Sequence, residues 1–171
     1  YVDYSPTVRC FDSQGQPEYC GPQGMAGTVT RLFHNLGPGP DGGVRFADVS
    51  VASGLATKPG AALGVLCVDL TGDRWVDILL ADDGMANRLF VNRHDGTFAE
   101  EAMSRGLALN ALGAPAANMG IACGDVDGNG LLDIFIPHVS WEQHALWKQG
   151  PAGLFLDQTA GAGLSASRLR G

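Results

Sequence analysis

No stretch of this 171-residue chain approaches the ~18 consecutive apolar residues that carry a helix across a bilayer, so a helical membrane span is excluded. Positive charge is scarce: 11 Lys and Arg stand against 18 Asp and Glu, giving a formal net charge of −7 and a pI near 4.8. Nucleic acid and anionic membranes call for basic patches, and a chain of this balance does not supply them. Signatures of common enzyme chemistry are missing, with no GxSxG elbow, no phosphate-binding P-loop and no HExxH metal motif. The cysteines number four and none forms a CxxC pair, which leaves no zinc ribbon. Sustained 3.6-residue periodicity is absent; residues 99–109 suit one helical turn or two and nothing longer. The N-terminus carries no signal-peptide pattern, as expected of a chain whose register starts within a repeat.

What is present is an acidic nonapeptide that occurs twice in one frame. The fuller copy spans residues 125–133, with Asp125, Asp127, Asn129 and Asp133 at positions 1, 3, 5 and 9. The other spans residues 69–77, with Asp69, Thr71, Asp73 and Asp77 at the same positions. Alternate oxygens on a tight, Gly-containing turn converge on one point. That suits a hard divalent cation, and calcium accepts six to eight oxygens in irregular geometry. Position 7 (Trp75, Leu131) would give a backbone carbonyl, with its side chain in the core. The copies are unequal. Thr71 replaces a carboxylate, and Arg74 stands where Gly relieves the turn, so the loop at 69–77 is expected to bind calcium more weakly. Each loop holds three formal negative charges, and two bound ions would take the chain from −7 to −3.

The repetition extends beyond the loops. Leu32-Phe33-His34-Asn35, Leu89-Phe90-Val91-Asn92 and Leu146-Trp147-Lys148-Gln149 recur at 57-residue intervals, and the acidic loops at 56. Phe46, Phe98 and Phe155 each precede an acid by two residues, and Gly54-Leu55, Gly106-Leu107 and Gly163-Leu164 follow. A period of this size marks a solenoid, propeller or array. One unit reads as four short strands, at residues 64–68, 78–81, 88–92 and 97–101, with His94-Asp95-Gly96 as a hairpin turn. Four antiparallel strands per period is the pattern of a β-propeller blade. The fold class is therefore all-β, with about two and a half blades: the outer part of one at 31–48, one at 64–101, one at 119–158, and the start of another at 167–171.

The segment 119–134 (MGIACGDVDGNGLLDI) resembles an FG-GAP/VCBS repeat, the blade of integrin-α-type propellers. Tyr19-Cys20-Gly21-Pro22, Arg31-Leu32-Phe33-His34-Asn35 and residues 81–90 (ADDGMANRLF) extend the likeness to the ASPIC/UnbV group, which includes cartilage acidic protein. The resemblance covers nearly the whole chain. It implies a secreted or surface calcium-binding propeller, usually of seven blades, without established catalytic residues. On that reading the chain is a fragment of a longer propeller, or completes itself by assembly.

Residues 1–30 read as an irregular lead-in. Cys10 and Cys20, close together in a Gly/Pro/Gln-rich segment, favour a local disulfide and an oxidising compartment, the alternative being two free thiols. Cys67 and Cys123 share a repeat position. A bond between neighbouring blades is conceivable there, but small buried residues in crowded strands are the plainer expectation. His138, Glu142 and His144 would make a metal corner only if they did not serve the turn backbone, which is the expectation for a loop after a strand. Asp82-Asp83-Gly84 reads as a turn, and Trp147 as core by its alignment with Phe33 and Phe90.

Three function classes follow. The first, preferred here, is an extracellular binding or adhesion module that calcium stabilises and whose loops meet a protein or glycan ligand. The second is a propeller-type lyase or hydrolase with catalytic groups elsewhere. The third is a scaffold whose open sheets pair with remaining blades or with other copies of the chain. Secretion, the periplasm or the cell surface is the expected location, and no catalytic residue is assigned.

Overall fold

The computed structural model describes residues 2–21, 24–139 and 141–166; the expected start of a further blade at 167–171 lies outside them. The lead-in holds a two-stranded pair, β1 (Cys10–Phe11) with β2 (Pro17–Glu18). Cys10 and Cys20 are joined there by a disulfide, with Cα atoms 5.1 Å apart. The expected strand through 28–35 is split. β3 (Thr28–Val29) pairs with β6 (Pro59–Gly60), whereas β4 (Phe33–Pro38) pairs with β5 (Val44–Asp48) as the outer hairpin of the first blade.

The second blade is an antiparallel meander of β7 (Ala62–Val68), β8 (Asp77–Met85), β9 (Arg88–Asn92) and β10 (Phe98–Glu100). A single helical turn, α1 (Ala102–Arg105), starts the crossover. β11 (Ala116–Ala117) ends it by pairing with β8, so this sheet has five strands where four were expected. The third blade repeats the meander with β12 (Ala122–Gly124), β13 (Asp133–Ile136), β14 (Ala145–Gln149) and β15 (Phe155–Asp157).

Two apolar layers hold the stack. Between the second and third blades lie Leu79, Ala81, Leu89 and Val91 from one sheet, and Ile134, Ile136, Ala145, Trp147 and Phe155 from the other. On the opposite face of the second blade, Ile78, Leu80 and Phe90 pack with Leu32 and Phe98. Strand alternation produces this division, because residues two apart share a face. Crossover leucines plug both layers, Leu107 in the one between the second and third blades and Leu55 in the one on the opposite face of the second blade. Each follows a glycine with positive φ, Gly54 at 83° and Gly106 at 82°.

Two expectations about side chains are corrected. Cys67 and Cys123 are exposed free thiols, each on the first strand of its meander, which pairs on one side only and leaves the side chain opposite Ile78 or Ile134 uncovered. Asp82 and Asp83 lie within β8 instead of a turn. Arg88 clamps Asp82 there in a buried bidentate pair, Nε to Oδ2 and Nη2 to Oδ1 both 2.8 Å, while its Nη1 donates to the Lys58 carbonyl.

Candidate metal centre

Each acidic loop joins the first two strands of a blade, and the two share one hydrogen-bond plan. In loop 69–77, Asp69 Oδ1 accepts the amides of Thr71, Gly72 and Asp73, and its Oδ2 accepts that of Arg74. In loop 125–133, Asp125 Oδ1 accepts the amides of Gly128 and Asn129, and its Oδ2 accepts Gly130 at 2.8 Å. A carboxylate wrapped by successive N–H groups fixes the turn and is stabilised in its charged form. The Asp125 pKa is accordingly lowered, chiefly by Gly130, against a smaller opposing effect of desolvation. The wrap needs left-handed backbone at position 6, which Gly130 supplies at φ 83° and Arg74 adopts at φ 72°.

Position 9 is buried in both loops. Asp77 accepts the amides of Leu70 and Asn92; Asp133 accepts those of Val126 and Gln149. The last aspartate therefore bolts the loop to the third strand of its own blade. The amide side chain at that strand position completes the strap. Asn92 Nδ2 donates to the Val76 carbonyl, and Gln149 Oε1 accepts from Leu132 N–H. Gln149 Nε2 reaches across to the Leu70 carbonyl at 2.8 Å and ties the third blade to the second blade's loop. Sequence reasoning aligned Asn35, Asn92 and Gln149 without giving them a role. Their 57-residue recurrence was the available signal.

The loops differ in what the remaining carboxylates face. Asp125, Asp127 and Asp133 each bring an oxygen within 4.8 Å of the others, the one such grouping among the described residues. Asn129 Oδ1 accepts the Leu131 amide at the loop's centre, and Lys148 Nζ lies 3.0 Å from Asp127 Oδ2. In the other loop Thr71 supplies no charge, and Asp73 Oδ2 is 2.8 Å from His94 Nε2. That contact, first among several causes, lowers the Asp73 pKa. Trp75 stacks on the same imidazole with centroids 4.9 Å apart and is 47% exposed, so its side chain lies on the surface instead of in the blade core. Leu131, its counterpart, is half-buried.

The candidate corner at the end of the third blade serves the chain instead of a metal. His138 N–H donates to His144 Nδ1, the His138 ring meets the Gln143 carbonyl at 2.6 Å, and Glu142 accepts the Ala117 amide.

Comparison with protein families finds an FG-GAP-like repeat at residues 69–136. The matched span opens on Asp69 and closes on the last residue of β13, so it contains both acidic loops and the last three strands of the second blade's meander. No curated protein matches the chain. The chain thus carries a repeat of the all-β, propeller-forming kind, and its antiparallel sheets agree with that.

Proposed function

We propose that this chain is an extracellular binding module of β-propeller type, that calcium in the loop at 125–133 stabilises it, and that its ligand is a protein or glycan. The observation that carries the reading is the convergence of Asp125, Asp127 and Asp133 within 4.8 Å inside a matched FG-GAP-like repeat. Three carboxylates with the Asn129 side chain and the Leu131 carbonyl offer the hard oxygen set that calcium prefers. The loop at 69–77 (Asp69, Thr71, Asp73, Trp75 carbonyl, Asp77) is a weaker second site, because His94 already engages Asp73. Calcium here is structural. The disulfide supports an oxidising compartment outside the cytosol. None of the described helices is long and apolar enough to cross a membrane. The module binds instead of catalysing, with its ligand met by loops.

The test is a calcium titration followed by calorimetry and thermal melts. An ion that binds only the folded loop adds about 2.7 kcal/mol at a hundredfold excess over Kd. Saturating calcium should therefore raise the melting temperature, chelator should reverse it, and Asp127→Asn should remove most of the shift. An identical melt with calcium, with chelator and in the variant would refute the metal reading.

A further inference from the structure

A cavity of about 510 Å³ opens at the end of the third blade opposite its acidic loop, where β13 turns into β14 and the crossover residues 110–116 pass by. Its wall includes His138, Trp141, Glu142, Ala145 and Asp157, and among the described residues no Lys or Arg lines it. The volume is in the range of sites for small molecules or single side chains.

The second blade explains why the space is there. At the same repeat position it has a cavity of about 230 Å³ lined by Gly60, Asp82, Arg88 and Glu100. Carried forward by the repeat interval, Asp82 becomes His138, Arg88 becomes Ala145, and Glu100 becomes Asp157. The second blade fills this place with its own guanidinium, held by Asp82 and the Lys58 carbonyl. A methyl group at Gly60 would collide with that guanidinium, whereas the third blade carries Ala116 at the matching position. The third blade thus keeps an acid at the rim and loses the internal cation.

What remains is a surplus of acceptors. Asp157 spends one interaction per oxygen on the amides of Ala111 and Thr159, and Glu142 Oε2 takes the Ala117 amide. A carboxylate oxygen has a second lone pair, so both groups can accept more. His138 adds to them. Its Nδ1 sits 2.6 Å from a carbonyl oxygen, which can only accept, so Nδ1 carries the proton and Nε2 is a lone pair. That Nε2 is covered and has no partner among the described residues. Burial keeps the ring neutral by lowering its pKa below the usual 6.5, outweighing the Gln143 and Glu142 contacts. Trp141 stands beside these groups with 82% of its surface exposed.

We infer that this cavity receives a guanidinium, the side chain of an arginine on a partner peptide. Guanidinium is five donors and no acceptor, it pairs with carboxylates in a fork, and its flat face stacks on indole. The Ala116 methyl keeps it from repeating the pose of Arg88, so it lies further out, toward Glu142, Asp157 and Trp141. A neutral ligand leaves the two carboxylates uncompensated, and an anion is repelled. The assignment deepens the binding-module reading by naming a ligand class, and it is independent of calcium because the acidic loops lie at the other end of the strands.

The experiment titrates the full chain with N-acetyl-arginine methylamide, its citrulline counterpart and methyl glycosides, in calcium and again in chelator, followed by heteronuclear NMR. Citrulline keeps the shape and removes the charge. The arginine probe should shift the Trp141 indole and the amides of 138–145 in both conditions. Citrulline should bind about tenfold more weakly or less. Trp141→Ala and Glu142→Gln should each weaken binding about tenfold. Ala145→Arg, which tethers a guanidinium of the chain's own beside the same carboxylates, should abolish it. Trp141 is exposed, so its variant should melt like the parent and separates loss of binding from loss of fold. Equal affinity for arginine and citrulline, a glycoside that binds more tightly, or arginine binding indifferent to Trp141→Ala would overturn the assignment. The calcium reading fails separately, through the melts.

Discussion

Lys148 is the residue whose charge is hardest to reconcile with a calcium loop. Its Nζ sits 3.0 Å from Asp127 Oδ2, beside the one described cluster of three carboxylates. The repeat equivalent in the second blade is Val91, which packs in the layer between blades. Without an ion, Lys148 offsets part of the repulsion among Asp125, Asp127 and Asp133. With an ion it opposes binding, and Asp127 must exchange one cation for the other. Both side chains are about one-third exposed, so the pair is screened and its worth is modest. Lys148→Val should therefore tighten calcium binding about fivefold, more at low salt than at high. Calorimetric titration at two ionic strengths checks this, and an unchanged Kd would mean that Lys148 leaves the site when calcium enters. Sequence reasoning saw the paired carboxylates but not this partner, because Lys148 reaches the loop only once β14 is laid beside β13. His94 was read only as part of a hairpin turn for the same reason: its bond to Asp73 and its stacking on Trp75 join two turns 21 positions apart in sequence.

At the scale of the element, the crossovers carry as much of the fold as the strands do. Gly106 caps α1 at φ 82°, and a methyl group there would run into the Phe155 carbonyl. Its neighbour Leu107 is fully buried between the blades. Gly163 has a similar φ of 77° with open space around its Cα. Gly106→Ala should then cost about 2–4 kcal/mol, combining backbone strain with displacement of Leu107, while Gly163→Ala should cost only about 1 kcal/mol of left-handed strain. Urea denaturation of both variants distinguishes contact from conformation; equal losses would show that φ alone matters. The recurring Gly-Leu pair was visible in the sequence, and so were the strands. Arg88–Asn92 was read to the residue, because short apolar runs between turn signals leave little choice of period. What could not be read was pairing at a distance. β11 joins the edge of β8, β3 joins β6, and Asp82 lies in a strand because Arg88 neutralises it. Each depends on a contact that no local pattern records.

For the whole molecule, the decisive feature is a face that the repeat buries twice and leaves bare once. Phe90 and Trp147 occupy one repeat position and are buried against the blade before them. Phe33 occupies that position in the first blade and is 56% exposed. Val44 and Phe46 on the same hairpin are exposed as well, as are Leu63 and Val65 on β7. At the far end of the stack, Phe135 and Leu146 stand where Leu79 and Leu89 stand in the second blade. Phe135 is only half-buried, and Leu156 on the neighbouring strand is exposed. The two ends therefore match as the blades within the chain match, head to tail, and such a contact is heterologous. Large apolar side chains left exposed on an uncovered sheet face mark an interaction site. The isolated chain should accordingly associate with further copies of itself as concentration rises, the first blade's hairpin seated on another copy's third blade. Sedimentation velocity over a hundredfold range of concentration measures this. Phe33→Ser with Phe46→Ser should shift the distribution to monomer without lowering the melting point of the monomer, because neither side chain packs in either internal layer. A parent chain that stays monomeric throughout would show that these faces do not recognise each other, and that the cover for the first blade must have a different surface.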